Sequence, residues 1–124
     1  LEGSVNPIVR MLTWKSKLLD IREVEMVLAS VASLESGEFM LRNILSHLPP
    51  ETASDARKAR SISSMLNVLA EIGYLQRQSE RKWRRVSSSL SHYLSPLLIE
   101  LSEVERKPLI GEKKEDRVVK ISRD

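Results

Sequence analysis

Cysteine is absent from the 124 residues, which excludes a disulfide framework, a thiolate metal site and a cysteine nucleophile and leaves the redox compartment open. Long apolar runs are missing too. No stretch approaches the roughly 18 residues needed to cross a bilayer, and no basic-then-apolar secretory signal opens the chain, so a soluble, cytoplasmic protein without membrane contact is expected. The four glycines form no glycine-rich phosphate loop. Aromatics make up only 4% of the chain, which weakens any case for stacking single-stranded bases. His47 and His92 lie far apart with no ligand-like partners at metal spacing. Glu23/Glu25 and Glu103/Glu105 are spaced so that each pair falls on different sides of a helix. Ser87, Ser88 and Ser89 lack a nearby base, and helix capping explains them at lower cost. Neither an enzyme nor a bound cofactor or metal is expected.

What is present is a single-domain length, enough to bury roughly two thirds of the unfolded surface, and an uneven charge. Between Arg57 and Arg85 lie eight basic residues (Arg57, Lys58, Arg60, Arg77, Arg81, Lys82, Arg84, Arg85) against Glu71 and Glu80. That segment carries +6 in a chain whose net charge is +3. A cationic segment in an otherwise slightly acidic protein suits a phosphate-binding face, because backbone charge supplies most non-specific nucleic-acid affinity; a solvated surface is the plainer alternative.

Along the chain, Leu1-Glu2-Gly3-Ser4 reads as a cloning remnant with no expected part in the fold. Residues 5–106 read as one domain. Val5, Ile8, Val9, Leu12 and Leu19 predict a helix over 5–19, with Pro7 near its start. A second helix over 21–35 is predicted from Ile21, Val24, Val27, Leu28, Val31 and Leu34, with Asp20 as its cap and an end at Ser36-Gly37. Glu38-Phe39 is either a very short strand or a bend. A short helix over 40–48 then stops at Pro49-Pro50. A long helix over 55–72 follows, apolar at Ala56, Ala59, Ile62, Leu66, Leu69 and Ile72, capped by Ser54 or Asp55 or else starting near Ser61. Its opposite face carries Arg57, Lys58, Arg60, Ser61, Ser64 and Asn67, side chains of the kinds that reach phosphates and base edges.

After Gly73 the period shortens, and residues 74–86 read as a hairpin with a polar tip around residues 78–82. If Val86 points inward, strict alternation puts Arg84 beside it and leaves Trp83 and Arg85 on the other face, where an exposed indole is costly. Either a bulge shifts the register or Trp83 packs under a terminal helix, and core packing is favoured over base stacking. Leu90, Leu94, Leu97, Leu101 and Val104 form a short heptad seam in a helix over 88–106. Pro96 either kinks that helix or begins a new one. Residues 107–124, which include Val118-Val119-Lys120-Ile121, are a charged tail or an added strand.

The stretch Ser61–Leu75, continued by Arg77 and by Arg81-Lys82-Trp83-Arg84-Arg85-Val86, resembles the recognition helix and wing of bacterial and archaeal regulators of the MarR and PadR kind. The resemblance covers about residues 21–90. It implies a mainly α fold with a small β-hairpin wing (α+β): a winged helix-turn-helix with extra N- and C-terminal helices. It also implies double-stranded DNA as partner and a role in transcription regulation at the nucleoid. The long helix would enter a major groove about 12 Å wide. Arg77, Arg81, Lys82, Arg84 and Arg85 would meet adjacent backbone. The stretch 49–59 is longer than in a compact helix-turn-helix, so the base-reading positions stay open. A homodimer is expected through Ile8, Leu12, Leu90, Leu94, Leu97, Leu101 and Val104, since symmetric pairing would bury both terminal seams and double the phosphate contacts; the alternative is that the seams cover each other within one chain. A winged-helix module that binds proteins in replication, chromosome segregation or transcription machinery is the other functional class open at this point.

Overall fold

The computed structural model describes residues 6–109. The chain divides into two units that meet inside its last helix, one up to Tyr93 and one from Leu94. In chain order the elements are α1 (Pro7–Ser16), α2 (Ile21–Ser33), β1 (Glu38–Met40), α3 (Leu41–Leu45), α4 (Pro50–Ala53), α5 (Ala56–Glu71), β2 (Leu75–Ser79), β3 (Lys82–Arg85) and α6 (Leu90–Glu105). The protein is mainly helical with a three-stranded antiparallel sheet of order β1-β3-β2. Leu1-Glu2-Gly3-Ser4, Val5 and the Val118–Ile121 run lie outside the described residues.

Local chemistry sets the helix starts. Asn6 Oδ1 accepts from the Ile8 amide at 2.8 Å, and Pro7 opens α1, where its missing N–H costs nothing. Asp20 and Glu23 form a reciprocal capping box at the head of α2: Oδ1 of Asp20 accepts from the Glu23 amide at 2.8 Å, and Oε1 of Glu23 from the Asp20 amide at 2.9 Å. Asp55 is the cap of α5, accepting from the amides of Arg57 and Lys58 at 2.9 and 3.3 Å. The helix therefore starts well before Ser61. It ends in a Schellman motif, with the Tyr74 amide on Leu69 O, the Gly73 amide on Ala70 O, and Gly73 at φ 99°.

The core lies where α1, α2 and α5 meet the inner face of the sheet. Leu12, Val24, Val27, Val31, Ile44, Ile62, Met65, Leu66, Leu69, Leu75 and Trp83 are all buried in it. Several members of the predicted apolar stripes fall outside: Ile8, Ile21, Ala56 and Ile72 are exposed, the last at the C-cap of α5. Met65, absent from the predicted stripe, takes a fully buried place on α5.

Glu38-Phe39 belongs to a true strand that pairs Phe39 with Trp83. Trp83 is fully buried, stacked on Phe39 with ring centroids 6.1 Å apart, and its indole N–H donates to Asn67 Oδ1 at 3.1 Å. Its partners thus come from β1 and α5. Val86 is 41% exposed, so the inward position assumed for it is wrong and Trp83 holds the core side of β3. The hairpin turns at Glu80-Arg81, with a register shift between Arg77 and Ser79.

In the unit that begins at Leu94, α6 runs through Pro96 without restarting. None of its residues is buried, and Leu98, Ile99, Leu101 and Val104 are each at least half exposed. Among the described residues no helix is long and apolar enough to cross a membrane.

Candidate nucleic-acid interface

Because α5 spends Ile62, Met65, Leu66 and Leu69 on the core, helical geometry dictates what its outer side presents. At 3.6 residues per turn, Arg57, Arg60 and Ser64 fall within about 60° of one another and form an exposed ridge. The side chains of Arg57 and Arg60 have no ion-pair or hydrogen-bond partner among the described residues.

Two clefts share Arg60 and Ser64. The first is bounded by α3, by the Ala56, Ala59 and Ser63 flank of α5, and by Arg77, Glu80 and Arg81 of the hairpin. The Leu41 amide donates to Arg81 O at 3.1 Å, which ties the hairpin turn to the start of α3. Arg77 reaches forward under the turn: its Nε donates to Ser79 O and its Nη2 to Glu80 O, each at 3.2 Å. Those acceptors are neutral carbonyls, so its charge is not neutralised by them. Arg81, at the turn itself, has no side-chain partner among the described residues and also borders a smaller cleft beside Arg42. The second cleft is lined by Arg57 and Ser61 of α5 and by Lys15, Ser16, Lys17 and Leu18 at the end of α1.

The structure gathers Arg57, Arg60, Ser64, Arg77 and Arg81 on one face, and gives the other expected contacts different work. Lys58 is bound to Glu23, Nζ to Oε2 at 2.7 Å. That carboxylate is buried; burial pushes its pKa up, but the bonds from Lys58, the Asp20 amide and Thr52 outweigh it and leave it lowered. The Lys58 ammonium is correspondingly raised, chiefly by its hydrogen bond to Glu23. Ser61 is buried, reaching only the lining of the second cleft. Asn67 receives the Trp83 indole and so supports the sheet.

Lys82 and Arg84 point to the outer side of the sheet, as alternation about a buried Trp83 requires. There Lys82 lies 3.6 Å from Glu38, and Arg84 Nε donates to Gln76 Oε1 at 3.2 Å. Arg85, on the inner side, donates to Val31 O at the end of α2. Of the residues expected to dimerise, Leu12 is buried in the core and Leu90 packs against it, while Ile8 stays exposed.

Lys15, Lys17 and Arg42 were not legible as interface residues. They fall outside the cationic segment, and only the packing of α1 on α5 and of the hairpin turn on α3 brings them to this face. Among the described residues, no group of His, Cys, Asp or Glu is placed to hold a metal ion. No protein-family model, no curated protein and no solved structure matches the chain.

Proposed function

We propose that the protein is a winged helix-turn-helix that binds double-stranded DNA and regulates transcription as a homodimer. In this reading α3, α4 and α5 form the helix-turn-helix, α5 enters the major groove, and the β2–β3 hairpin is the wing on adjacent backbone. The element order and the sheet order β1-β3-β2 support the wing. The observation that carries the function is the sorting of cations: Arg57, Arg60, Arg77 and Arg81, whose charges no carboxylate neutralises, line the two clefts that meet at Arg60 and Ser64. The two basic residues paired with carboxylates, Lys58 and Lys82, line neither cleft. An uncompensated cationic ridge about as wide as a helix fits a groove about 12 Å across, and phosphates supply the missing counter-charge.

The exposed apolar residues of α6 support the dimer. Leu97, Leu101 and Val104 keep heptad spacing and are unburied, so a second copy of the same helix would cover them.

Anisotropy titration of a labelled random-sequence duplex between 50 and 200 mM salt tests the binding. Strong salt dependence is expected, with affinity lost in Arg57→Ala/Arg60→Ala at unchanged circular dichroism. A wild-type protein that binds no duplex at any of these salt concentrations overturns the proposal and leaves the same face to an acidic protein partner.

A further inference from the structure

We infer that the end of α1 is a second phosphate-binding edge, built from Lys15 and Lys17, that grips the DNA strand across the groove from the wing. This rests on the DNA-binding reading and adds to it a contact that lies outside the helix-turn-helix and hairpin.

Helical geometry supplies the placement. Taking Arg60 as the reference direction around α5, Ala56, Ala59 and Ser63 fall on one side of it, and Arg57 and Ser61 on the other. The first set lines the cleft that holds Arg77 and Arg81, and the second lines the cleft that holds Lys15 and Lys17. Cations therefore stand on both flanks of the same exposed ridge. A helix with its side chains is about 10–12 Å wide and the major groove about 12 Å. A helix seated there has one sugar-phosphate backbone along each flank, and the hairpin serves only one of them. Lys15 and Lys17 have no side-chain partner among the described residues, and both are exposed.

The backbone at Lys17 is a second, independent observation. Lys17 has φ 66° and ψ −66°, and the Leu18 amide donates to Ser16 O at 2.7 Å, which is a γ-turn of the strained hand. It is the one non-glycine residue with positive φ among the described residues. The turn is held from both ends: Ser16 is buried with its hydroxyl on Leu12 O at 2.7 Å, and Leu19 is buried in the core. Glycine would adopt this conformation with little strain. A lysine there keeps a side chain at a position where the backbone disfavours one, which is the pattern of strain retained at a functional site.

The test is the salt dependence of duplex binding for wild type, Lys15→Gln/Lys17→Gln and Lys17→Gly, with Arg57→Ala/Arg60→Ala as reference. Loss of two phosphate contacts should lower the slope of log K against log salt by about 1.8. Between 50 and 200 mM salt the wild type then loses about tenfold more affinity than the double variant. Lys17→Gly should melt at a higher temperature than wild type and still show a slope reduced by about 0.9, a combination that a purely structural turn would not produce. Wild-type slopes in both lysine variants, with affinity still lost in Arg57→Ala/Arg60→Ala, overturn the second edge and leave the DNA-binding proposal standing. A wild-type protein that binds no duplex overturns both.

Discussion

Glu23 has three hydrogen-bond donors around one buried carboxylate: the Asp20 amide, the Thr52 hydroxyl and the Lys58 ammonium, the last two at 2.7 Å from Oε2. It links the head of α2 to α4 and α5, and so sets the angle at which α5 is offered. Its pKa lies below the ordinary 4.5, with burial pushing up and the three donors pulling further down. A carboxylate lowered on folding contributes stability that is fully present above its unfolded value and is lost as pH falls through its folded one. Thermal melts from pH 7 to pH 2 should therefore show an acid-limb loss that Glu23→Gln removes. The variant should be less stable at pH 7 by about 1–3 kcal/mol, since buried donors lose an ionised acceptor. Lys58 works in the opposite sense, its contribution present below 10.5 and lost as pH rises through its raised folded value.

Asn67 makes a second residue-scale prediction. Because its Oδ1 receives the buried Trp83 indole, Asn67→Ala should cost about 1–3 kcal/mol of stability in a denaturant melt. Its duplex sequence preference should match the wild type; a changed preference with unchanged stability would return Asn67 to the base-reading set.

At the scale of elements, the junction between α5 and β2 is tightly constrained. Gly73 sits at φ 99°, and a Cβ there would run into the hydroxyl of Tyr93. That hydroxyl donates to Ile72 O at 2.7 Å, satisfying a carbonyl at the end of α5. Gly73→Ala combines a disfavoured backbone with a clash and should destabilise by about 1–3 kcal/mol. Tyr93→Phe removes one hydrogen bond while keeping the ring and should cost about 0.5–1.5 kcal/mol. Chemical denaturation of the two variants checks the order; equal losses would mean that the hydroxyl contact, rather than the glycine conformation, holds the junction. The hairpin that follows is braced from within by Arg77, whose guanidinium is held by the Ser79 and Glu80 carbonyls across the turn.

For the whole molecule, the exposed apolar surface is the feature to account for. Trp14 is 80% exposed and Met11 51% on α1, and on α6 Leu98, Ile99, Leu101 and Val104 range from 50 to 66%. Large exposed apolar surface marks association. Sedimentation should find a dimer that Leu97→Glu/Leu101→Glu converts to a monomer with unchanged near-ultraviolet circular dichroism. Duplex binding by that monomer should fall with loss of the second half-site. A wild-type monomer at micromolar concentration would overturn the dimer and leave the single-copy interface intact.

The sequence by itself determined the longer elements, while it left Glu38-Phe39 open as strand or bend and did not show α4. Period 3.6 in α2 and α5, the Asp20 cap, Gly73 as a stop and the change to extended structure after it are all properties of residues within a few positions of one another, whereas the choice of Asp55 over Ser54 or a start near Ser61 came with the structure. The sequence also determined that positive charge concentrates between Arg57 and Arg85. Only the tertiary structure decided which of those charges are available. Lys58 is neutralised by a carboxylate 35 residues away and Arg85 is drawn to a carbonyl 54 residues away, while the packing of α1 against α5 brings Lys15 and Lys17 to the ridge. The side on which Trp83 sits, and with it the side of every cation on β3, follows from the fit of one large indole between Phe39 and Asn67. Helix caps and periodicity act over one or two turns of chain. Charge pairing and core packing act between segments distant in sequence, through contacts that exist only once the chain has folded.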